Sequence, residues 1–432
     1  HYRELDVKKI YQEAVAYGSL FKGVPQYRHP HGARHERLRI GYISPDFCEH
    51  VVALFSQAFF RAQDKLCFEI FAYARCGEDA RSRELASMAE HWLNIQDLSD
   101  EEAAKRIYLD EIDILVDLSG HTGNNCLPIL AYKPAPIQVC GVGWFNTTGL
   151  PAVDYFLADV YTIPESAGVD YFTEKVLRLP HSHLCYTPPA QAPQFCSSAP
   201  CRRNGYITFG CFNVFTKVTD EMLRLWAAIL NRLPQARLFL KAAVFDNIDA
   251  QTTALERLKA EGIPLQRLSF EGYSANYFQA YDRIDIALDT YPYPGGGTTC
   301  DALYMGVPVL TWAGQDHHTR FGYSLLMNIG LPQLCAFSAT EYVEKAVQLG
   351  SDFSTVMRLR QGLRRQMRQS AIMDANAYMP ELEACYRKIW QDFQDRCSRQ
   401  PAISKITAGR LQAALDDLQA CRWREVIHQV AH

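Results

Sequence analysis

Residues 289–301 combine the residue types that bind phosphate groups. Three consecutive glycines (Gly295–Gly297) follow two prolines, and a predicted helix begins at Thr298 and Thr299. Glycine lets a ligand approach the backbone closely, and the first N–H groups of a helix attract anions. The segment therefore predicts a diphosphate site, with Asp301 placed to accept hydrogen bonds from ribose hydroxyls. An ordinary strand-to-helix turn with a threonine N-cap explains the same residues equally well.

A second candidate segment, Phe209–Lys217, lies at the end of a predicted strand. It contains Asn213 and ends on Lys217. A lysine in this place can neutralise the charge of a departing diphosphate. When the segment is taken alone, a solvated surface lysine is the simpler interpretation. Lys217 is therefore a candidate catalytic residue whose role depends on its neighbours.

Two histidines follow predicted strands in the first half of the chain. His50 ends the segment Ser44–His50, and His121 lies in the segment Gly120–Asn125. Histidine titrates near neutral pH, so it can act as a base or orient an acceptor hydroxyl. A single loop histidine more often makes a structural hydrogen bond. Both histidines are candidates on the same terms.

Short apolar runs separated by helical segments must position these residues. Nearly continuous apolar strands between helices are typical of a parallel sheet covered on both faces. A segment rich in proline, alanine and serine, Pro188–Pro200, interrupts the pattern, which then restarts. Two Rossmann-like lobes with a cleft at the carboxyl ends of both sheets are therefore expected. The predicted strands are Leu38–Ser44, Cys67–Tyr73, Ile112–Leu118, Pro136–Cys140, Tyr206–Gly210, Arg237–Leu240, Arg267–Phe270, Ile284–Leu288 and Val307–Thr311.

The predicted fold class is α/β, with helices added at both ends of the two lobes. We expect a helix and linker over residues 1–35, a first lobe over residues 36–190, a second lobe over residues 202–375 and helices over residues 376–432. Within the last segment, Lys405–His432 fits either a capping helix or part of a helical repeat.

Composition excludes several classes of protein. A net charge of −4 over 432 residues gives no basic excess for neutralising nucleic-acid phosphates. No apolar run reaches the roughly 18 residues needed to cross a bilayer, and the charged first residues predict no signal peptide. The 14 cysteines are scattered singly, without the spacing of zinc ligands or of a disulfide framework. We therefore expect reduced thiols, no metal site and a cytoplasmic location.

Several segments, taken in order, resemble the protein O-GlcNAc transferase and SPINDLY family over roughly residues 36–395. Several such segments in the right order are far more specific than any one of them. The matching segments are Arg39–Phe47 with His50, Ile112–Leu118, Gly120–Gly123, Pro134–Val139, Asn146–Pro151, Val153–Tyr155, Phe209–Lys217, Leu288–Thr290, Gly297–Thr299 and Leu303–Pro308.

The resemblance implies a metal-independent, inverting protein O-glycosyltransferase of the GT-B fold, usually preceded by tetratricopeptide repeats. Its first lobe would face the acceptor, and its second lobe would hold a nucleotide sugar. The family's phosphate, ribose and histidine positions are carried over residue by residue. Lys217 matches the diphosphate-contacting lysine, Thr298 and Thr299 the threonines at the phosphates, Asp301 the ribose-contacting acid, His50 the histidine proposed as general base, and Asn213 the strand-end motif.

Two departures leave the donor sugar open. O-GlcNAc transferases usually have a donor-contacting histidine where this chain has Gly297, and a glutamine where it has Val214. Segments Gly120–Asn125 and Asn146–Leu150 are similar to the SPINDLY branch, whose plant members use GDP-fucose, whereas Arg320 is similar to the O-GlcNAc branch and is a donor-binding candidate. We therefore expect transfer from UDP-GlcNAc to serine or threonine of a protein or peptide.

A glycosyltransferase with a lipid or glycan acceptor stays open, as does a sugar-nucleotide epimerase or phosphorylase on the same two-lobed fold. Two further alternatives concern the donor and catalysis itself. One is a SPINDLY-like protein O-fucosyltransferase that uses GDP-fucose. The other is a peptide-binding scaffold without catalysis, which would bind no nucleotide. Nucleic acid and membranes are not expected as partners. A homo-oligomer of the chain is kept as an open alternative.

Overall fold

The computed structural model describes residues 4, 6–29, 35–193 and 198–399. These residues form two parallel β-sheets surrounded by helices, which confirms the two-lobed α/β prediction. The predicted helix of Lys405–His432 lies outside the described residues.

The first sheet forms the N-lobe and has seven parallel strands in the spatial order β3-β2-β1-β4-β5-β6-β7. Helix α1 (Val7–Ser19) precedes it. The strands are β1 (Leu38–Ser44), β2 (Phe68–Ala74), β3 (His91–Asn94), β4 (Ile114–Asp117), β5 (Ile137–Cys140), β6 (Tyr155–Asp159) and β7 (Lys175–Leu179). The helices between them are α2 (Val51–Arg61), α3 (Ala80–Ala86), α4 (Asp100–Leu109) and α5 (Leu127–Ala131).

The second sheet forms the C-lobe and has six parallel strands in the order β10-β9-β8-β11-β12-β13. The strands are β8 (Thr208–Cys211), β9 (Arg237–Lys241), β10 (Leu268–Glu271), β11 (Ile286–Leu288), β12 (Val309–Trp312) and β13 (Cys335–Ala336). The helices are α6 (Cys201–Asn204), α7 (Asp220–Arg232), α8 (Ile248–Ala260), α9 (Gly297–Tyr304), α10 (Phe321–Asn328), α11 (Ala339–Ser351), α12 (Phe353–Arg368) and α13 (Ala375–Arg399).

Strand order reverses once in each sheet, between β1 and β4 and between β8 and β11. Ligands of open α/β sheets bind outside the carboxyl ends of the strands at such a reversal. The segments after β1 and β4 contain His50 and His121. Those after β8 and β11 contain Asn213, Lys217 and residues 289–301, of which the last five begin helix α9. The topology alone thus brings the candidate residues to the ligand-binding edge of each sheet.

All nine predicted strands overlap observed ones, with boundaries that differ by up to two residues. Strands β3, β6, β7 and β13 were not predicted. β3, β7 and β13 lie at sheet edges, and β13 has only two residues, so none of the three shows a long apolar run. β6 is fully buried, but a single aspartate, Asp154, separates its apolar run from the apolar residues of the loop before it.

Helix α13 leaves the C-lobe and packs on the N-lobe. Its predicted range, Glu381–Phe393, is too short, because the helix begins at Ala375 and continues through Pro380. The hydroxyl oxygens of Tyr386 and Tyr42 lie 3.4 Å apart. The Asp64 N–H donates to Glu383 Oε1 at 2.7 Å. The helix therefore connects the two lobes a second time, in addition to the linker near residue 190.

Helix α1 packs against the loop that follows β5. Asp6 caps it by accepting hydrogen bonds from the N–H groups of Lys8 and Lys9. A Cβ atom built on Gly18 would lie 1.9 Å from the carbonyl oxygen of Gly149. Only glycine allows this approach. Helix α1 is therefore held against Gly149, next to Thr148, whose carbonyl oxygen is bonded to His121.

We predict that Gly18→Ala destabilises the protein by about 1–3 kcal/mol, because the new methyl group would force α1 away from Gly149. Urea denaturation of the purified protein measures the change. Gly23→Ala is the matched control, since a Cβ there would meet nothing within 4 Å. Equal unfolding free energies for the two variants would contradict the proposed close contact.

Candidate active site

The carboxylate of Asp289 organises the edge of the C-lobe sheet. It directly follows β11 and is buried. Oδ1 accepts from the Asn213 side-chain amide at 3.1 Å and from the Gly295 N–H at 2.8 Å, and Oδ2 accepts from the Thr311 hydroxyl at 2.9 Å. Burial raises the pKa of Asp289, and these hydrogen bonds oppose that rise. One carboxylate thus connects the ends of three neighbouring strands.

Asn213 continues this network to the start of helix α9. Its Oδ1 accepts from the Thr298 hydroxyl at 2.7 Å. A Cβ on Gly295 would lie 2.2 Å from Thr298 Oγ1 and 2.7 Å from Asn213 Oδ1, so only glycine fits. The predicted phosphate segments after β8 and β11 are therefore in direct contact.

Helix α9 begins with backbone groups suited to an anion. Gly296 is the N-cap residue, and within the described part of the chain no side chain caps the helix. Thr298 is half-buried, whereas Thr299 is buried. The first N–H groups of an α-helix lack intrahelical acceptors and lie at the positive end of its dipole. The start of α9 can therefore bind a phosphate group.

Lys217 lies beside the same loop. Its Nζ donates to the Pro294 carbonyl oxygen at 3.3 Å and lies 4.6 Å from the centre of the Tyr293 ring. Burial lowers the pKa of Lys217 to about 8, while the nearby Asp289 carboxylate acts in the opposite direction. A bound anion would favour the charged form of this lysine. Lys217 thus contacts the loop before α9 at Pro294, four residues ahead of Thr298.

Asp301 lies one turn into α9 and is buried. Tyr186 donates to its Oδ1 at 2.5 Å, and Tyr277 donates to its Oδ2 at 3.0 Å. Burial raises the pKa of Asp301 to about 6, and the two tyrosines oppose the rise. Each carboxylate oxygen retains a second lone pair that could accept a hydrogen bond from a ribose hydroxyl. The ribose contact itself stays a prediction.

His50 is the N-cap residue of α2. Its Nδ1 accepts from the Val52 N–H at 3.3 Å and lies 3.6 Å from Asp46 Oδ1. In the neutral ring the proton is therefore on Nε2. The next residue, Val51, lies against Gly297, since a Cβ there would be 2.2 Å from Val51 Cγ2. His50 is thus brought next to the first turn of α9.

His121 is packed into the N-lobe. Its Nε2 donates to the Thr148 carbonyl oxygen at 2.7 Å, and its ring lies between Tyr17 and Trp144, with centroids 4.6 and 5.0 Å away. Burial lowers the pKa of His121, so the ring is neutral at pH 7. These contacts match the structural interpretation of a loop histidine, and a catalytic role for His121 stays a prediction.

Arg320 connects the two lobes. Its Nε donates to the Tyr161 carbonyl oxygen of the N-lobe at 2.7 Å, and Nη1 donates to the Gly314 carbonyl oxygen of the C-lobe at 2.8 Å. Burial lowers the pKa of Arg320. Its guanidinium group is thus bound to backbone on both sides, and its donor-binding role stays a prediction.

The sequence does not assign a role to several residues of the site. For Asp289 a signal exists, because it is the polar residue that directly follows a predicted apolar strand. Tyr186 and Tyr277 carry no such signal, because they reach Asp301 only through the fold. Phe145 of the N-lobe packs 5.3 Å from Tyr293, centroid to centroid.

No cluster of three or more histidine, cysteine or carboxylate side chains suited to a metal ion occurs among the described residues. The described helices also include none that is long and apolar enough to cross a membrane.

The two lobes have the GT-B arrangement of glycosyltransferases. The Anabaena protein HepE, solved with UDP and glucose, has the same fold at 13% identity, with a TM-score of 0.50 over 82% of this chain and all of that one. A family model described as glycosyl transferase family 41 matches residues 19–187 and 202–382. The chain belongs to glycosyl transferase family 41.

Two relatives are much more similar. A Solanum lycopersicum protein named probable UDP-N-acetylglucosamine–peptide N-acetylglucosaminyltransferase SPINDLY is 36% identical over 398 residues, which is 90% of this chain and 42% of the relative. A mutant of the Thermobaculum terrenum O-GlcNAc transferase superposes with a TM-score of 0.83 at 34% identity, over 92% of this chain and 76% of that one. The chain thus spans about two fifths of the SPINDLY relative.

We predict that the affinity for UDP increases as the pH rises through about 6, because the ionised Asp301 carboxylate is the better hydrogen-bond acceptor for ribose. Calorimetric titration across this range measures it. UDP itself changes protonation state in the same pH range, so UDP binding to the Asp301→Asn variant is measured in parallel. This variant should lack the part of the affinity increase that comes from the Asp301 carboxylate. Identical pH profiles for the two proteins would contradict the ribose assignment.

The same carboxyl group affects stability in the opposite direction. Its pKa rises from the ordinary 3.8 to about 6 on folding, so the folded chain holds the proton more tightly. Its contribution to stability is present at low pH and is lost as the pH rises through about 6.

Proposed function

We propose that this chain is an inverting glycosyltransferase that moves N-acetylglucosamine from UDP-GlcNAc to a serine or threonine hydroxyl of a protein. The observation that supports this most strongly is the hydrogen-bonded set of Asp289, Asn213 and Thr298 at the start of α9, with Lys217 beside it. This arrangement offers helix N–H groups and a cation to a diphosphate. The names of the two similar proteins supply the donor and acceptor classes.

The proposed reaction is a direct displacement at the anomeric carbon. The acceptor oxygen forms a bond to that carbon while the bond from carbon to the phosphate oxygen breaks, and the electron pair of the broken bond goes to the diphosphate. The proton of the acceptor hydroxyl passes to an oxygen of the departing diphosphate. Lys217 and the first N–H groups of α9 stabilise the charge on the departing group. Electrostatic stabilisation of this kind is worth roughly 3–4 kcal/mol for one good donor. In this proposal Lys217 supplies the positive charge beside the diphosphate.

His50 is proposed to orient the acceptor hydroxyl. Its Nδ1 accepts from Val52, so the neutral ring presents Nε2 as a donor rather than as a base. The N-lobe, over residues 36–190, would then face the protein acceptor, and residues 202–375 would hold the donor. A cytoplasmic location agrees with the free cysteines of the described residues.

We predict that Lys217→Ala lowers turnover by at least about a hundredfold, because the charge on the diphosphate is no longer neutralised. Stability should change by less than about 1 kcal/mol, since burial already disfavours the charged lysine. Release of UDP from UDP-GlcNAc in the presence of an acceptor peptide measures turnover. Lys259→Ala, on the exposed face of α8, is the control. Normal turnover by a folded Lys217→Ala protein would exclude the assignment.

The alternative donor is GDP-fucose. Segments Gly120–Asn125 and Asn146–Leu150 are similar to the SPINDLY branch, and Gly297 replaces the histidine of the O-GlcNAc branch. Both donors would use the same diphosphate site, so the choice depends on the base and the sugar. A scaffold without catalysis would bind neither nucleotide.

We predict that UDP stabilises the protein against thermal unfolding more than GDP does. A ligand at a hundred times its Kd adds about 2.7 kcal/mol to the unfolding free energy. Thermal shift with each nucleotide, followed by transfer assays with UDP-GlcNAc and GDP-fucose, measures the preference. A larger shift with GDP would favour fucose, and no shift with either would support the scaffold.

A further inference from the structure

Helices α2 of the N-lobe and α9 of the C-lobe meet at their first residues. Val51 begins α2, and Gly297 begins α9. A Cβ atom on Gly297 would lie 2.2 Å from Val51 Cγ2 and 3.5 Å from Val51 Cβ. The two lobes therefore touch at the candidate diphosphate site, and they touch through a position that lacks a side chain.

This contact cannot accommodate even one added methyl group without movement. A carbon atom at 2.2 Å is more than 1 Å closer than ordinary van der Waals contact allows. Valine in a helix is held in one strongly preferred rotamer, so Cγ2 cannot turn away at low cost. Both residues are at the start of helices whose backbones are fixed by hydrogen bonds. Relief would therefore require α2 to shift away from α9.

We propose that Gly297 and Val51 form the closing contact of the cleft and set how closely His50 approaches the donor. This inference rests on the proposed function of the site. Val51 directly follows His50, so any movement of α2 away from α9 moves His50 by a similar distance. The pair acts through His50 and the two helices, and both are positioning residues.

The direction of the effect separates closure from fold stability. Alanine favours the helical conformation relative to glycine. Gly297→Ala therefore favours helix α9 while it disturbs the contact between the lobes. A loss of activity with unchanged or raised melting temperature would be a consequence of positioning.

The experiment compares four purified variants with the wild-type chain. They are Gly297→Ala, Val51→Ala, the double variant, and Gly362→Ala as the matched control. Gly362 lies in helix α12 of the same lobe, and a Cβ there would meet nothing within 4 Å. Steady-state kinetics with UDP-GlcNAc and an acceptor peptide give kcat and KM. Calorimetry with UDP gives Kd, and thermal unfolding confirms that each variant folds.

We expect Gly297→Ala to lower kcat by at least about tenfold, since a misplacement of about 1 Å can cost as much as a hundredfold. The Kd for UDP is measured in parallel, because Gly297 also begins the helix whose first N–H groups are proposed to bind the diphosphate. Val51→Ala removes the obstructing methyl group, so the double variant should regain most of the lost kcat. Gly362→Ala should behave as wild type.

Two results would overturn the inference. Wild-type kcat for Gly297→Ala would show that the contact does not control turnover. A loss that Val51→Ala does not restore would assign the effect to the phosphate-binding turn and not to closure. Failure of the proposed function has a different signature, since the wild-type chain would then neither bind UDP nor turn over a nucleotide sugar.

Discussion

The buried Asp289 carboxylate is the constraint on which the candidate site depends. Removing a carboxylate from water is costly unless hydrogen bonds replace the lost solvent. Three residues supply them: Asn213 after β8, Gly295 in the loop before α9 and Thr311 in β12. The same bonds that stabilise the carboxylate therefore fix the phosphate segment against the strand that leads to Lys217. Loss of this one group would leave several buried donors without an acceptor.

The positions of the lobes follow the same logic on a larger scale. Each sheet reverses its strand order at the point where the candidate residues emerge, so the two ligand-binding edges can face each other. Arg320 binds backbone of both lobes, and Tyr186 reaches from the linker side to Asp301 on α9. Helix α13 returns to cover the N-lobe. These contacts therefore limit relative movement of the lobes, and the one between Tyr186 and Asp301 lies one turn from Gly297 on α9.

Features that depend on local pattern could be predicted from the sequence. Apolar strands and the glycine-threonine turn have signals within a few residues, so nine strands and the segment 289–301 could be predicted. What depends on strand adjacency could not, because Asn213 and Asp289 are 76 residues apart and meet only when β8 pairs with β11. The hydrogen bonds from Tyr186 and Tyr277 to Asp301, and the contact of Val51 with Gly297, also join residues that are distant in sequence and meet only in the folded chain. His121 illustrates the converse, since its position after a strand did not reveal its bond to Thr148.

A crystal structure of the chain with UDP would test the central claim most directly. The account predicts that the β-phosphate lies within hydrogen-bonding distance of Lys217 Nζ and of the first N–H groups of α9, with the ribose beside Asp301. A diphosphate bound elsewhere on a folded protein, with Lys217 still on the Pro294 carbonyl, would contradict it.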